Sequence, residues 1–148
     1  MRPEIRSILL PIDISDASSR VAGYAAALAE QFNARLTALY VVEENEGLLG
    51  FTVASRDTDD SVRELEDAAM KELAEHAHRY LPAGTEVRVE AGDPTHKILE
   101  AAEQVGADLI VMGNHNRKGL ERLLVGSTAE HVIRESKVPV VSVPLLAA

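Results

Sequence analysis

"ADLIVMGNHNRKGLERLLVGSTAEHVIRESKVPVVSV", residues 107–143, is the stretch whose reading decides the fold. It opens with a short apolar run, passes through a loop carrying glycines, amides and basic side chains, turns helical over about residues 127–135, and ends in the β-branched run "VPVVSV", residues 138–143. Short continuous apolar runs bounded by turn signals read as strands buried on both faces. A helix joining two such strands makes a right-handed crossover that pairs them in parallel and covers one face of the sheet. Ser127 and Glu130 stand at the S-x-x-E spacing of a capping box, which places the helix start.

The same alternation extends outward. "SILLPID", residues 7–13, is a nearly continuous apolar strand, and Pro11 predicts that one side lacks ladder partners near its end. Apolar residues at Val21, Tyr24, Ala25, Leu28 and Phe32 then fall at helical spacing, with Asp16 or Ser18 as the N-cap. "RLTALYVV", residues 35–42, is a second strand rich in β-branched and aromatic side chains. Residues 43–59 keep no period and are long enough for a flap or a partner surface. A third segment carries a helical stripe of Val62, Leu65, Ala69, Leu73, Ala77 and Tyr80, ended by Pro82 and Gly84. "TEVRVEAG" alternates as a strand. In "DPTHKILEAAEQVG", Asp93 is an N-cap, Pro94 opens the helix, Ile98, Leu99, Ala102 and Val105 are its apolar side, and Gly106 stops it. Five strands alternating with four helices predict an α/β fold: an open five-stranded parallel sheet of order 3-2-1-4-5, Rossmann-like, with helices on both faces.

Composition bounds the function. A chain of 148 residues has the length of one domain, so residues 1–148 are expected to form a single unit. The net charge of −9 works against non-specific nucleic-acid binding, so any anion site must be local. The absence of cysteine excludes disulfides and thiolate metal sites. No segment reads as a signal peptide or a membrane span, and a cytoplasmic protein without a membrane partner is the expectation.

Open α/β sheets bind ligands outside the carboxyl ends of their strands, where the strand order reverses. After strand 1 the chain reads "DISDASS", acidic and free of glycine, so a G-x-G-x-x-G pyrophosphate site is excluded there. The P-loop pattern is absent too. After strand 4 come Gly113, Asn116, Gly119, Gly126 and Ser127, with Arg117 and Lys118 adding positive charge. Glycine lets backbone N–H groups approach an anion, and a helix N-terminus favours one. Phosphates are therefore expected at strand 4, and the less charged end of a ligand near strand 1.

From "ILLPIDIS" through "GDPTHKIL" to "RLLVGSTAEHVIRESKVPVVSV", the chain resembles the universal stress protein family over essentially its whole length. The nucleotide-binding branch of that family carries G-x2-G-x9-G-[ST]. Here Gly113 is the first glycine, Asn116 stands where the second is expected, and Gly126 and Ser127 close the motif at the right spacing. If that position needs positive φ, Asn supplies it; if a phosphate must touch bare backbone there, the side chain intrudes. The resemblance implies ATP, with Mg2+, as the ligand of a stress-response regulator or sensor with at most slow hydrolysis. It implies that Pro11, Ile12 and Asp13 border adenine and ribose, that Val41 packs on the base, and that Met112 and Gly113 lie along the ribose. Asn116, Gly126, Ser127 and Thr128 would hold the phosphates. The family's other branch, a nucleotide-free dimeric interaction protein, is the alternative that Asn116 keeps open.

Each of these residues also has a structural role to weigh. Asp13 suits a sugar-hydroxyl acceptor, a cation ligand or simply a carboxylate favoured by a helix dipole. Ser127 is an N-cap as well as a phosphate contact, and Arg117 and Lys118 suit solvated loop positions. His115 lies in the loop, where it could touch a ligand, while His76 and His78 cannot share a helix face. No clustered zinc ligands and no G-x-S-x-G elbow are present, so neither a zinc site nor a Ser-His-Asp hydrolase is expected. Finally, strand 5 lies at a sheet edge, and Val138, Val140, Val141 and Val143 carry no charge among them to discourage pairing. Residues 138–143 are thus expected to pair with the same strand of a second copy in a closed two-fold homodimer, which the resemblance also implies.

Overall fold

All five residues of Ser7–Pro11 (β1) are buried, and this strand forms the centre of the molecule. In the computed structural model, which describes residues 2–13, 18–43, 58–115 and 128–145, β1 lies between β2 (Arg35–Val42) and β4 (Leu109–His115). β3 (Glu86–Ala91) borders β2, and β5 (Val140–Leu145) borders β4. All pairs are parallel, as the alternation of elements requires, and the order is β3-β2-β1-β4-β5, the order expected from the sequence. Both faces of β1 are covered, which is why its sequence is apolar without alternation.

Four helices among the described residues cover the sheet: α1 (Ser18–Phe32), α2 (Thr58–Tyr80), α3 (Pro94–Gln104) and α4 (Thr128–Glu135). Ile8 and Leu10 pack with Val21 and Ala25 of α1 and Leu73 and Ala77 of α2. Leu9 points the other way, into a cluster with Ile98 and Ala102 of α3 and Ala129 and Val132 of α4. The period of two along a strand thus sends adjacent leucines into separate layers. No helix among the described residues is long and apolar enough to cross a membrane.

Several sequence expectations needed correction. The buried side of α1 is Val21, Ala22, Ala25 and Ala29, whereas Tyr24 and Phe32 are 49% and 42% exposed. Small alanines let the helix lie close to the sheet, leaving no depth for aromatic rings; Tyr24 instead packs under the Arg20 guanidinium. On α2, Leu65 and Tyr80 are likewise exposed, and His76 joins Ala69, Leu73 and Ala77 inside. The last strand spans Val140–Leu145 rather than residues 138–143, shifted towards Pro144. An edge strand accommodates a proline because one row of its backbone groups has no ladder partner.

The caps of α3 behave as their residue types predict, whereas Ser18, offered as an N-cap of α1, is that helix's first residue, and Asp16 lies outside the described residues. The Asp93 carboxylate accepts from the His96 N–H at 2.9 Å, and Gly106 follows α3 with φ 62°. α1 ends at Asn33 with φ 55°, so this chain uses asparagine for a left-handed position.

Candidate functional site

Pairing of β1 with β4 is recorded only for Ile8 with Leu109 and Leu9 with Ile110, while β1 stays in register with β2 as far as Pro11 opposite Leu39. Pro11 has no N–H to offer, and the chain past it leans to β2, with the Ile12 N–H donating to the Leu39 carbonyl at 2.9 Å. β1 and β4 therefore part at their carboxyl ends, which is the point where strand order reverses.

A cavity of about 420 Å³ occupies this crevice, within the range of small-molecule sites, roughly 300–1,000 Å³. Pro11, Ile12 and Asp13 form one wall, and Tyr40, Val41 and Glu43 continue it from the end of β2. Met112 and Gly113 of β4 face them, with Thr128 and Ala129 at the start of α4 and Leu145 from β5. Seven of the ten residues singled out from the sequence thus line one cavity. Asn116, Gly126 and Ser127 lie outside the described residues, as do Arg117, Lys118 and the side chain of His115.

The cavity's field is mixed. Ser18, Pro94 and Thr128 open α1, α3 and α4, and all three line it, so three helix N-termini bring their partial positive charge to one place. Asp13 and Glu43 supply carboxylates on the β1–β2 side. An anionic group is accordingly favoured on the α4 side, and hydrogen-bond donors such as sugar hydroxyls on the other. No group of three or more potential metal ligands occurs among the described residues.

Gly113 has a packing reason in addition to any ligand. A Cβ there would lie 2.9 Å from Leu145 Cδ1 and 3.0 Å from Val21 Cγ2, closer than side chains pack. Glycine at this point lets β5 and α1 close over the end of β4.

One feature of the wall was missed by sequence reasoning. Ser18, 2% exposed, brings its Oγ within 2.8 Å of Nε2 of His76, 8% exposed, from α2. The two are 58 positions apart, and no motif spacing links them. A histidine inside an otherwise apolar stripe, Leu73, His76, Ala77, is the only signal that could have drawn attention. Burial lowers the His76 pKa from its ordinary value; the nearby Asp13 charge opposes this and Arg79 adds to it. Burial thus favours the neutral ring over the imidazolium.

An open parallel α/β sheet with a partly apolar cavity at its switch point is the architecture of the doubly wound class. Its lineage is specific. The chain belongs to the universal stress protein family, whose model matches residues 4–144. It is 34% identical over 142 residues to universal stress protein MJ0531 of Methanocaldococcus jannaschii, covering 93% of this chain and 81% of that protein. The fold is also that of the solved hypothetical protein MJ0577 of the same organism, at TM-score 0.77 and 24% identity over 99% of this chain and 100% of that one. A universal stress protein solved in complex with cAMP superposes at TM-score 0.70 and 24% identity, over 97% of this chain and 100% of the other.

Proposed function

We propose that this protein binds an adenine nucleotide, ATP with Mg2+, in the cavity between β1 and β4 and acts as a stress-response regulator rather than a dedicated hydrolase. The observation that carries the reading is convergence: Pro11, Ile12, Asp13, Val41, Met112, Gly113 and Thr128, chosen from the sequence, line one cavity of nucleotide size. In this reading Val41 packs on the base, Asp13 accepts from the ribose, and Met112 with Gly113 runs along it. Thr128 would hold phosphates together with Asn116, Gly126 and Ser127. The cAMP complex is a property of the fold relative, and it makes adenine nucleotides the ligands to try first.

Titration calorimetry tests this on the wild type, Gly126→Val and Asn116→Gly. Heat from Mg-ATP in the wild type, lost in Gly126→Val and at most modestly increased in Asn116→Gly, is expected. Binding that appears only in Asn116→Gly would favour the nucleotide-free reading, and no binding at millimolar ATP in any form would overturn the proposal.

The reading extends to a homodimer through the last strand, Val140–Leu145, which the sequence placed at residues 138–143. Support comes from β5 standing at the sheet edge with Val141 half-buried. Val141→Lys should move the mass measured by light scattering from dimer to monomer. A wild type that is monomeric at tens of micromolar, on the order of a weak association constant, would contradict it.

A further inference from the structure

The Ser18–His76 pair has no part in nucleotide recognition as proposed above, yet its geometry is that of a nucleophile beside its base. The hydroxyl oxygen lies 2.8 Å from a ring nitrogen, within the reach required for proton transfer, and Ser18 borders the cavity. The His76 Nδ1 is buried without a hydrogen-bond partner among the described residues, so Nε2 carries the ring's described polar contact. Ser18 opens α1, so the partial positive charge of that helix end lies beside the hydroxyl. We propose that Ser18 and His76 form a nucleophile–base pair that takes an acyl group from a small activated carboxylic ester entering the cavity.

The chemistry balances within the pair. Ser18 Oγ attacks the carbonyl carbon, an O–C bond forms, and the hydroxyl proton passes to His76 Nε2. The tetrahedral intermediate expels the alcohol or phenolate, breaking the original C–O bond, and the imidazolium returns its proton to that leaving group. Water attacking the acyl-serine, with His76 again taking and returning the proton, releases the carboxylic acid. Asp13 is close enough to favour the imidazolium electrostatically, although no carboxylate among the described residues holds Nδ1. An ester is favoured over a phosphoryl donor because Asp13 and Glu43 share the cavity lining and would repel a second negative charge beside Ser18. With Ser18 only 2% exposed, the acyl group must be small.

p-Nitrophenyl acetate, with no nucleotide present, tests the pair independently of the ATP reading. The expected result is a burst of nitrophenolate with acetate recovered by peptide mass spectrometry on Ser18, abolished in Ser18→Ala and slowed about 10²-fold or more in His76→Gln. Acetylation confined to lysines or the N-terminus, or an unchanged burst in Ser18→Ala, would overturn the proposal. Because the chain has no cysteine, Ser18→Cys gives a second reading through a single thiol. Its alkylation by iodoacetamide should persist well below the free-thiol pKa of about 8.5, and His76→Gln in that background should restore an ordinary thiol profile. Identical profiles in the two backgrounds, or a thiol that reacts only after denaturation, would show a purely structural contact and overturn it.

Discussion

The two faces of the sheet draw on the same strands and end up with different chemistry. Towards α1 and α2, the layer of Ile8, Leu10 and Leu73 closes over a helix of alanines and includes the buried Ser18–His76 pair. Towards α3 and α4, Leu9, Ile110, Ile98 and Val132 fill the layer, and the buried Ser7 hydroxyl is spent on the Val105 carbonyl at 3.1 Å. The cavity sits where both layers reach the strand ends, so one side brings Ser18 backed by a buried histidine and the other brings the starts of α3 and α4. Adjacent residues on one strand can therefore belong to regions with separate duties, while the strand itself keeps the regions in one cooperative body.

The largest test of that comparison truncates one leucine on each side. Leu9→Ala and Leu10→Ala both remove a fully buried side chain, and each is expected to cost about 2–5 kcal/mol in chemical denaturation, with one transition retained. Two separated transitions would show that the faces unfold independently. Gly113→Ala comes next, because its Cβ would meet Leu145 and Val21 at 2.9 and 3.0 Å. Overpacking of this kind should cost roughly 1–3 kcal/mol, and a neutral result would mean that β5 and α1 yield easily around the cavity.

A pH series sharpens the contrast between the faces. His76 titrates at 6.5 when unfolded and lower when folded, chiefly because burial penalises its charge. Below 6.5 the unfolded chain takes up a proton that the folded chain resists, so stability is full above that pH and declines as pH falls towards the folded pKa. His76→Gln should flatten this part of the profile; an unchanged slope would place the titration elsewhere. The smallest effect belongs to the other face: Asp93→Ala removes the α3 cap and should cost about 1 kcal/mol, measured by thermal unfolding.

Much of the fold was legible because local signals agreed with one another. The apolar run at residues 8–10, the Asp93-Pro94 start and the Gly106 stop each have a single economical structural meaning, and together they require a parallel sheet. The edges were less legible: nothing local to residues 138–145 says which of two valine-rich registers β4 selects, since that choice is made by pairing. Side-chain size misled the assignment of α1, where the aromatic residues looked like core and the alanines proved to be it. Around the cavity, strand-end positions such as Ile12, Val41 and Met112 could be read because topology dictates where strand ends meet. His76 could not, because its approach to Ser18 depends on how α1 and α2 pack.

An adenine base seated in the crevice between β1 and β4 can be located chemically. Photolabelling with an ATP analogue bearing an azide on the base, followed by peptide mass spectrometry, is the most direct test. Label is expected on the peptides holding Ile12 or Val41, suppressed by excess ATP. Label that excess ATP does not displace, or that falls on the outer face of α2 instead, would contradict that placement.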